Sequence, residues 1–219
     1  MNRSAALLLP AALLCAAGVM PLPALSENLT IYQATLGETD QKASEVSTEQ
    51  FRQILASGEA IVIDSRPHAE FVNGHVPGAV DAAGKDAVAA IEKLVKGDKA
   101  KALVLYCNGP FCQASRRLGA ELVKAGFTNV RRYQLGMPVW RALGGPTEIG
   151  IEGVERVFMN DKTAVFLDAR PAAEFAKGSL PNASNLTPED AAEVKGKPMP
   201  LDDFDTRIIL FGHDGTEAR

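Results

Sequence analysis

Residues 102–117 read ALVLYCNGPFCQASRR, from Ala102 to Arg117. The apolar run Leu103-Val104-Leu105-Tyr106 has no polar alternation, so it predicts a strand buried on both faces, as in a parallel sheet covered by helices. The run delivers Cys107 to a short loop containing Gly109 and Pro110. A helical pattern begins at Ser115, with apolar Leu118, Leu122 and Ala125 at helical spacing and Gly126 as its stop signal. Cys107 therefore sits between the C-terminal end of a strand and a helix N-terminus, where open α/β sheets hold their ligands. Unpaired N–H groups there favour a thiolate. Cys107 is the candidate nucleophile, and Asn108, Gly109, Pro110, Phe111, Cys112, Gln113, Ala114 and Ser115 form the loop around it.

Upstream, Ser47 and Gln50 make a capping box, and Phe51, Ile54 and Leu55 give one apolar helical face closed by Gly58. Ala60–Ile63 reads as a buried strand ending in Asp64-Ser65-Arg66-Pro67, followed by a short helix through Glu70 and Phe71 and a turn at Gly74-His75-Val76-Pro77-Gly78. Val88, Ile91 and Val95 mark another helix closed by Gly97. Downstream, Asn129–Tyr133 predicts a strand, and Met137–Leu143 a short helix carrying the single tryptophan, Trp140. Repeated alternation of strand and helix predicts an α/β fold with a parallel sheet flanked by helices.

The pattern then recurs. Ile61-Val-Ile-Asp-Ser-Arg-Pro-His-Ala-Glu-Phe71 maps onto Val165-Phe-Leu-Asp-Ala-Arg-Pro-Ala-Ala-Glu-Phe175, a shift of 104 residues that also carries Gly74, Pro77 and Ala79 onto Gly178, Pro181 and Ala183. Leu103-Val-Leu-Tyr-Cys-Asn matches Ile208-Ile-Leu-Phe-Gly-His, so Gly212 stands where Cys107 would be. Two homologous domains are expected, at 47–148 and 149–219, and only the first has the thiol. The second copy shows no counterpart of Leu118–Gly126 or of the Asn129–Tyr133 strand, which leaves one sheet face uncovered. It reads as incomplete at its C-terminus, either a fragment or a sheet that a partner chain completes.

Residues 1–26 place Asn2 and Arg3 before an apolar stretch and end in small residues near Ser26, the pattern of a secretory signal peptide. Pro10 and the short run argue against a membrane span, so none is expected after cleavage. The expected location is periplasmic or secreted. Residues 27–46 form a lead-in with no sustained period, either flexible or a short packed arm. Cleavage removes Cys15 and leaves Cys107 and Cys112, too few for a disulfide scaffold and close enough for a reactive site or one local bridge. A formal charge of -4 gives no global attraction to nucleic acid. Two cysteines with His68, His75 and His213 show no metal-ligand spacing, and no cofactor is expected.

Four stretches in order, Asp64-Ser-Arg-Pro with Glu70-Phe71, Gly74-His-Val-Pro-Gly-Ala79, Tyr106-Cys107 with its loop, and Arg132-Tyr-Gln-Leu-Gly-Met137 with Trp140, make the chain resemble a tandem rhodanese-like protein of the thiosulfate sulfurtransferase superfamily. The resemblance spans roughly residues 47–219. It implies a five-stranded parallel sheet and a cysteine that attacks the outer sulfur of thiosulfate, releases sulfite, holds the sulfur as a persulfide and passes it to a thiol or other thiophile. Loop N–H groups and the helix N-terminus can activate the Cys107 thiolate and hold an oxyanion. Arg116 and Arg117 are candidates for attracting the anionic donor.

The family's loop has arginine five positions after its cysteine, and related dual-specificity phosphatases have it six after. Here Cys112 and Gln113 stand there, and the loop is about two residues longer, so phosphate-ester chemistry loses its clamp. Cys112 opens an alternative, a thiol redox or sulfur-relay protein whose Cys107-Cys112 pair works with an exported redox partner. A non-catalytic binding module is the remaining reading. Asp64, Arg66 and Glu70 recur in the thiol-less copy, which predicts structural support through ion pairs and loop hydrogen bonds. His75 becomes Ser179, which argues against a general-base role.

Overall fold

The computed structural model describes residues 38–193 and 206–213. The expected signal peptide and residues 27–37 of the lead-in lie outside the described residues. Of the two readings of the lead-in, residues 38–46 follow the packed arm: β1 (Ser44–Glu45) pairs in parallel with β5 (Val130–Tyr133). Two residues are too few to carry a period, which is why sequence patterning left them open.

The first sheet has five parallel strands in the order β1-β5-β4-β2-β3, where β2 is Ile61–Asp64, β3 Val80–Asp81 and β4 Leu103–Tyr106. β4 is central, in register with Asp64 through Tyr106 and with Tyr133 through the same residue. Its four residues are all buried because both faces are covered. Leu103 and Leu105 face the cluster that holds Ile63, Ile91, Leu118 and Leu122. Val104 and Tyr106 face the opposite cluster, with Phe51, Ile54, Tyr133, Met137 and Trp140. The two-residue period of the strand thus feeds two helical layers.

The helices on these faces follow from local signals. α1 (Thr48–Ser57) starts at the expected capping box, with Ser47 Oγ accepting from Gln50 N at 3.1 Å and Ser47 N donating to Gln50 Oε1 at 2.8 Å. α2 (His68–Val72) follows β2, α3 (Ala87–Leu94) precedes β4, α4 (Ala114–Lys124) follows the cysteine loop, and α5 (Gly136–Ala142) follows β5. Phe51 stacks on Tyr133 at 4.5 Å between ring centroids and meets Trp140 edge-on at 5.3 Å, which pins α1 and α5 over the sheet.

The repeat comprises α6 (Ile151–Asn160), β6 (Val165–Asp168), α7 (Ala172–Phe175), β7 (Ser184–Asn185), α8 (Pro188–Glu193) and β8 (Ile208–Phe211). Its strands are parallel in the order β7-β6-β8, the same neighbours as β3-β2-β4. Among the described residues its buried cluster is smaller, formed by Val157, Phe166 and Ile209. The copies are joined where His75 and Glu148 exchange backbone hydrogen bonds at 2.8 Å and Gly150 N donates to Val72 O at 2.9 Å. No helix among the described residues is long and apolar enough to cross a membrane.

Candidate functional site

β4 ends at Tyr106, and Cys107 is the first residue beyond the ladder, 2% exposed. Its carbonyl accepts a hydrogen bond from Met137 N at 3.0 Å, so the loop is anchored to the start of α5. The contact is close enough to require glycine: Gly136 has φ +63°, and a Cβ there would lie 2.3 Å from both Cys107 O and Gly109 N. Gly109, at φ +100°, turns the loop, and its carbonyl accepts from Cys112 N at 3.0 Å.

That turn brings the two cysteines together. Cys107 and Cys112 form a disulfide with Cα atoms 6.2 Å apart, inside the range such bonds tolerate. The bond leaves β4 paired through Tyr106 and α4 starting at Ala114. Cys112 is partly exposed, Phe111 beside it is 57% exposed, and Asn108 and Gln113 face solvent, whereas Gly109 and Pro110 are buried.

The remaining sequence candidates separate by role. Asp64 and Arg66, both buried, form a bidentate pair, with Arg66 Nη2 2.6 Å from Asp64 Oδ2 and also donating to Gly74 O at 2.8 Å. Tyr106 Oη donates to Asp64 Oδ2 at 2.5 Å and accepts from Val76 N at 3.1 Å. Burial, then the neighbouring Asp64 charge and hydrogen bond, push the Tyr106 phenol far above its usual range, so it stays a neutral donor. Glu70 is not a partner of Arg66. Its carboxylate accepts from Asn108 Nδ2 instead, because Asp64 already fills the guanidinium fork, and the tie fixes the residue after Cys107.

Ser115 and Arg116 face the N-terminal arm. Ser115 is buried and its Oγ accepts from Arg132 Nε at 3.1 Å, while Arg116 Nη2 donates to Thr39 O at 2.6 Å. Arg117 is exposed. His75 stacks on Phe71 at 3.7 Å between centroids and bonds Phe71 O through Nδ1 at 2.9 Å, which lays its ring back against α2, while Nε2 lies 3.6 Å from Glu148 Oε2.

Sequence reasoning missed the cluster behind the loop. Arg132, 1% exposed on β5, holds Glu38 with both Nη atoms and lies 3.3 Å from Glu45. Burial raises the Glu45 carboxyl to about 7, against the opposing pull of Arg132. At Glu38 burial also acts upward, but the hydrogen bond and charge of Arg132, with Arg116 adding charge, hold the carboxyl below its ordinary value. An arginine inside the strand motif Val130-Arg-Arg-Tyr133 was the available signal; its two acidic partners lay in a segment without a period. A separate cleft of 740 Å³ is lined by Gly74, His75, Arg141, Glu148 and Arg207 and by strand β8, and neither cysteine lines it.

A cysteine at the tip of the central strand of an all-parallel five-stranded sheet, with a second copy of the same strand end that has glycine there, defines a tandem rhodanese-like architecture. The rhodanese-like domain family model matches residues 47–143 and 156–219, and the chain belongs to that family. Over 94 residues it is 31% identical to the HTH-type transcriptional regulator Rv0324 of Mycobacterium tuberculosis, a match covering 43% of this chain and 40% of that protein. The chain thus spans about two fifths of that relative's length. Among solved structures it is similar to the Alr3790 protein from Anabaena sp., with 25% identity, 52% of this chain and 87% of that one covered, and a TM-score of 0.43. It is also similar to a thiosulfate sulfurtransferase from Pseudomonas aeruginosa, with 19% identity, 80% and 39% covered, and a TM-score of 0.43.

Proposed function

We propose that the protein is an exported sulfurtransferase in which Cys107, once reduced, takes a sulfane sulfur from thiosulfate or a similar donor and hands it to a thiophile. The observation that carries this reading is the placement of Cys107 at the end of β4, with its carbonyl held by Met137 N and the adjacent Asn108 held by Glu70. Such anchoring keeps a nucleophile in one geometry. The Cys107 thiolate attacks the outer sulfur of thiosulfate, the S–S bond breaks, and sulfite leaves with the bonding pair. The arginine clamp of related loops is replaced by Cys112, so the donor anion is held by loop and α4 N–H groups, with Arg117 as the exposed cation of that turn. Arg116 contributes charge while bound to the arm.

Intact mass of the protein, reduced and freed of reductant, tests the reading. On Cys112→Ser, where the second thiol is removed, thiosulfate should add one sulfur, and on Cys107→Ser it should add none. No adduct on the Cys112→Ser protein would sink it. The Cys107–Cys112 disulfide specifically favours a second reading, a dithiol redox protein without sulfur transfer. That reading predicts a reversible disulfide and no sulfur adduct on either variant.

A further inference from the structure

We infer that Cys112 is a resolving thiol: it attacks the Cys107 persulfide, expels the outer sulfur as sulfide, and leaves a disulfide that a dithiol protein reopens by attacking Cys112. The inference rests on the sulfur-transfer reading of Cys107 and adds a fate for the sulfur and a class of partner.

Three observations carry it. The loop brings the two sulfurs into bonding distance without unpairing β4 or α4, so the oxidised state belongs to the native fold. Cys112 sits five residues after Cys107 on one tight loop, where Cys112 N donates to Gly109 O at 3.0 Å and turns the second thiol back toward the first. The two sulfurs are unequally accessible, Cys107 at 2% exposure and Cys112 partly open beside the 57% exposed Phe111. Which sulfur is attacked in thiol–disulfide exchange follows access, and the better-stabilised thiolate leaves.

The steps balance. In the first, a bond forms between Cys112 Sγ and Cys107 Sγ while the bond from Cys107 Sγ to the outer sulfur breaks. The bonding pair and the Cys112 proton go to the outer sulfur, which departs as hydrosulfide; it is reduced and the two cysteines are oxidised. In the second, a partner thiolate bonds Cys112 Sγ and Cys107 leaves as thiolate. The partner's other thiol then closes the partner disulfide and frees Cys112. The sum is one sulfane sulfur reduced to sulfide and one partner dithiol oxidised. Phe111, an exposed aromatic next to the attacked sulfur, with polar Asn108 and Gln113 around it, is the docking contact for that partner.

The test loads the reduced full chain with thiosulfate, then follows released sulfide and intact mass. Wild type should release one equivalent of sulfide and end as the disulfide; Cys112→Ser should hold its persulfide and release none. A wild-type persulfide as durable as that of Cys112→Ser overturns the inference while leaving sulfur transfer standing. Failure of Cys112→Ser to load overturns the sulfur-transfer reading itself. Cys112→Ser should stay folded, because a disulfide closing so short a loop removes little chain entropy.

A second measurement locates the attack. The disulfide form is pulsed with glutathione and quenched with iodoacetamide. Glutathione on Cys112 with the alkyl group on Cys107 is expected, and the reverse labelling overturns the assigned site. With thioredoxin as the dithiol probe, Phe111→Ser should slow reduction about tenfold while leaving reduction by dithiothreitol unchanged. Equal rates with thioredoxin remove Phe111 from the docking contact.

Discussion

The two copies end their second strand in the same way and differ at the next strand. In the first, Arg66 Nε lies 3.0 and 3.1 Å from the Asp64 oxygens and Nη2 reaches Gly74 O at 2.8 Å; in the second, Arg170 lies 3.0 and 3.2 Å from Asp168 and reaches Gly178 O at 2.9 Å. The tie behind the cysteine position also repeats, Glu70 with Asn108 in one and Glu174 with His213 at 2.7 Å in the other. Even the hydroxyl on the aspartate is kept by other means. Tyr106 supplies it in the first copy; in the second, where Phe211 has none, Ser179 donates to Asp168 Oδ2 at 2.6 Å. A frame maintained in the copy without the cysteine is a frame for the strand end.

The largest effect that would break this comparison concerns sulfur uptake. Cys107→Ser should abolish it entirely, although the second copy is unchanged, as read by mass after thiosulfate beside Cys112→Ser, which keeps its adduct. Uptake that survives would place chemistry outside the loop.

Next come the paired aspartates. Asp64→Asn leaves Arg66, 3% exposed, without a counter-charge and should cost about 3–5 kcal/mol in urea unfolding. Asp168→Asn should cost less, on the order of 1–2 kcal/mol, because the Arg170 side chain is 22% exposed and water replaces part of the pair. The Arg170 hydrogen bond leads in holding the Asp168 carboxyl well below its ordinary value, so that stabilisation is present at neutral pH and is lost as pH falls through the folded value. Equal costs at the two sites would erase the distinction in burial.

The hydroxyl exchange gives a smaller difference. Tyr106→Phe strands Val76 N as well as losing the bond to Asp64, about 1–3 kcal/mol, whereas Ser179→Ala loses one bond, about 1 kcal/mol. Separate from these substitutions is a pH effect with no counterpart among the described residues of the second copy. Glu45, raised to about 7 by burial, keeps its proton in the fold over a range where the unfolded chain releases it. Stability should therefore fall as pH rises from 4.5 to 7, and Glu45→Gln should flatten that slope in thermal melts between pH 4.5 and 8.

Much of the fold was legible because its signals are local. The continuous apolar run of β4 marked a strand covered on both faces, the Ser47–Gln50 box marked the start of α1, and the internal repeat marked two copies of one unit. The site was half legible. Cys107, its loop and the Asp64–Arg66 pair could be named, since spacing and repetition display them. The partner of Glu70 could not, because Asn108 and Arg66 are both within reach in sequence terms and only the filled guanidinium fork decides between them.

By itself, then, the sequence determined that a thiol ends a buried parallel strand, that a second thiol follows five residues later, and that the repeat keeps the aspartate and arginine but no cysteine. These are properties of residue order and period. Tertiary structure decided the rest: that the two cysteines meet, that Cys112 is the more open of them, that Arg132 is enclosed by Glu38 and Glu45, and that Arg116 turns to the arm. Each of those depends on how a loop closes against a distant segment, Leu135–Gly136 for the cysteines and residues 38–46 for the arginines, and no short-range pattern encodes a contact across that distance.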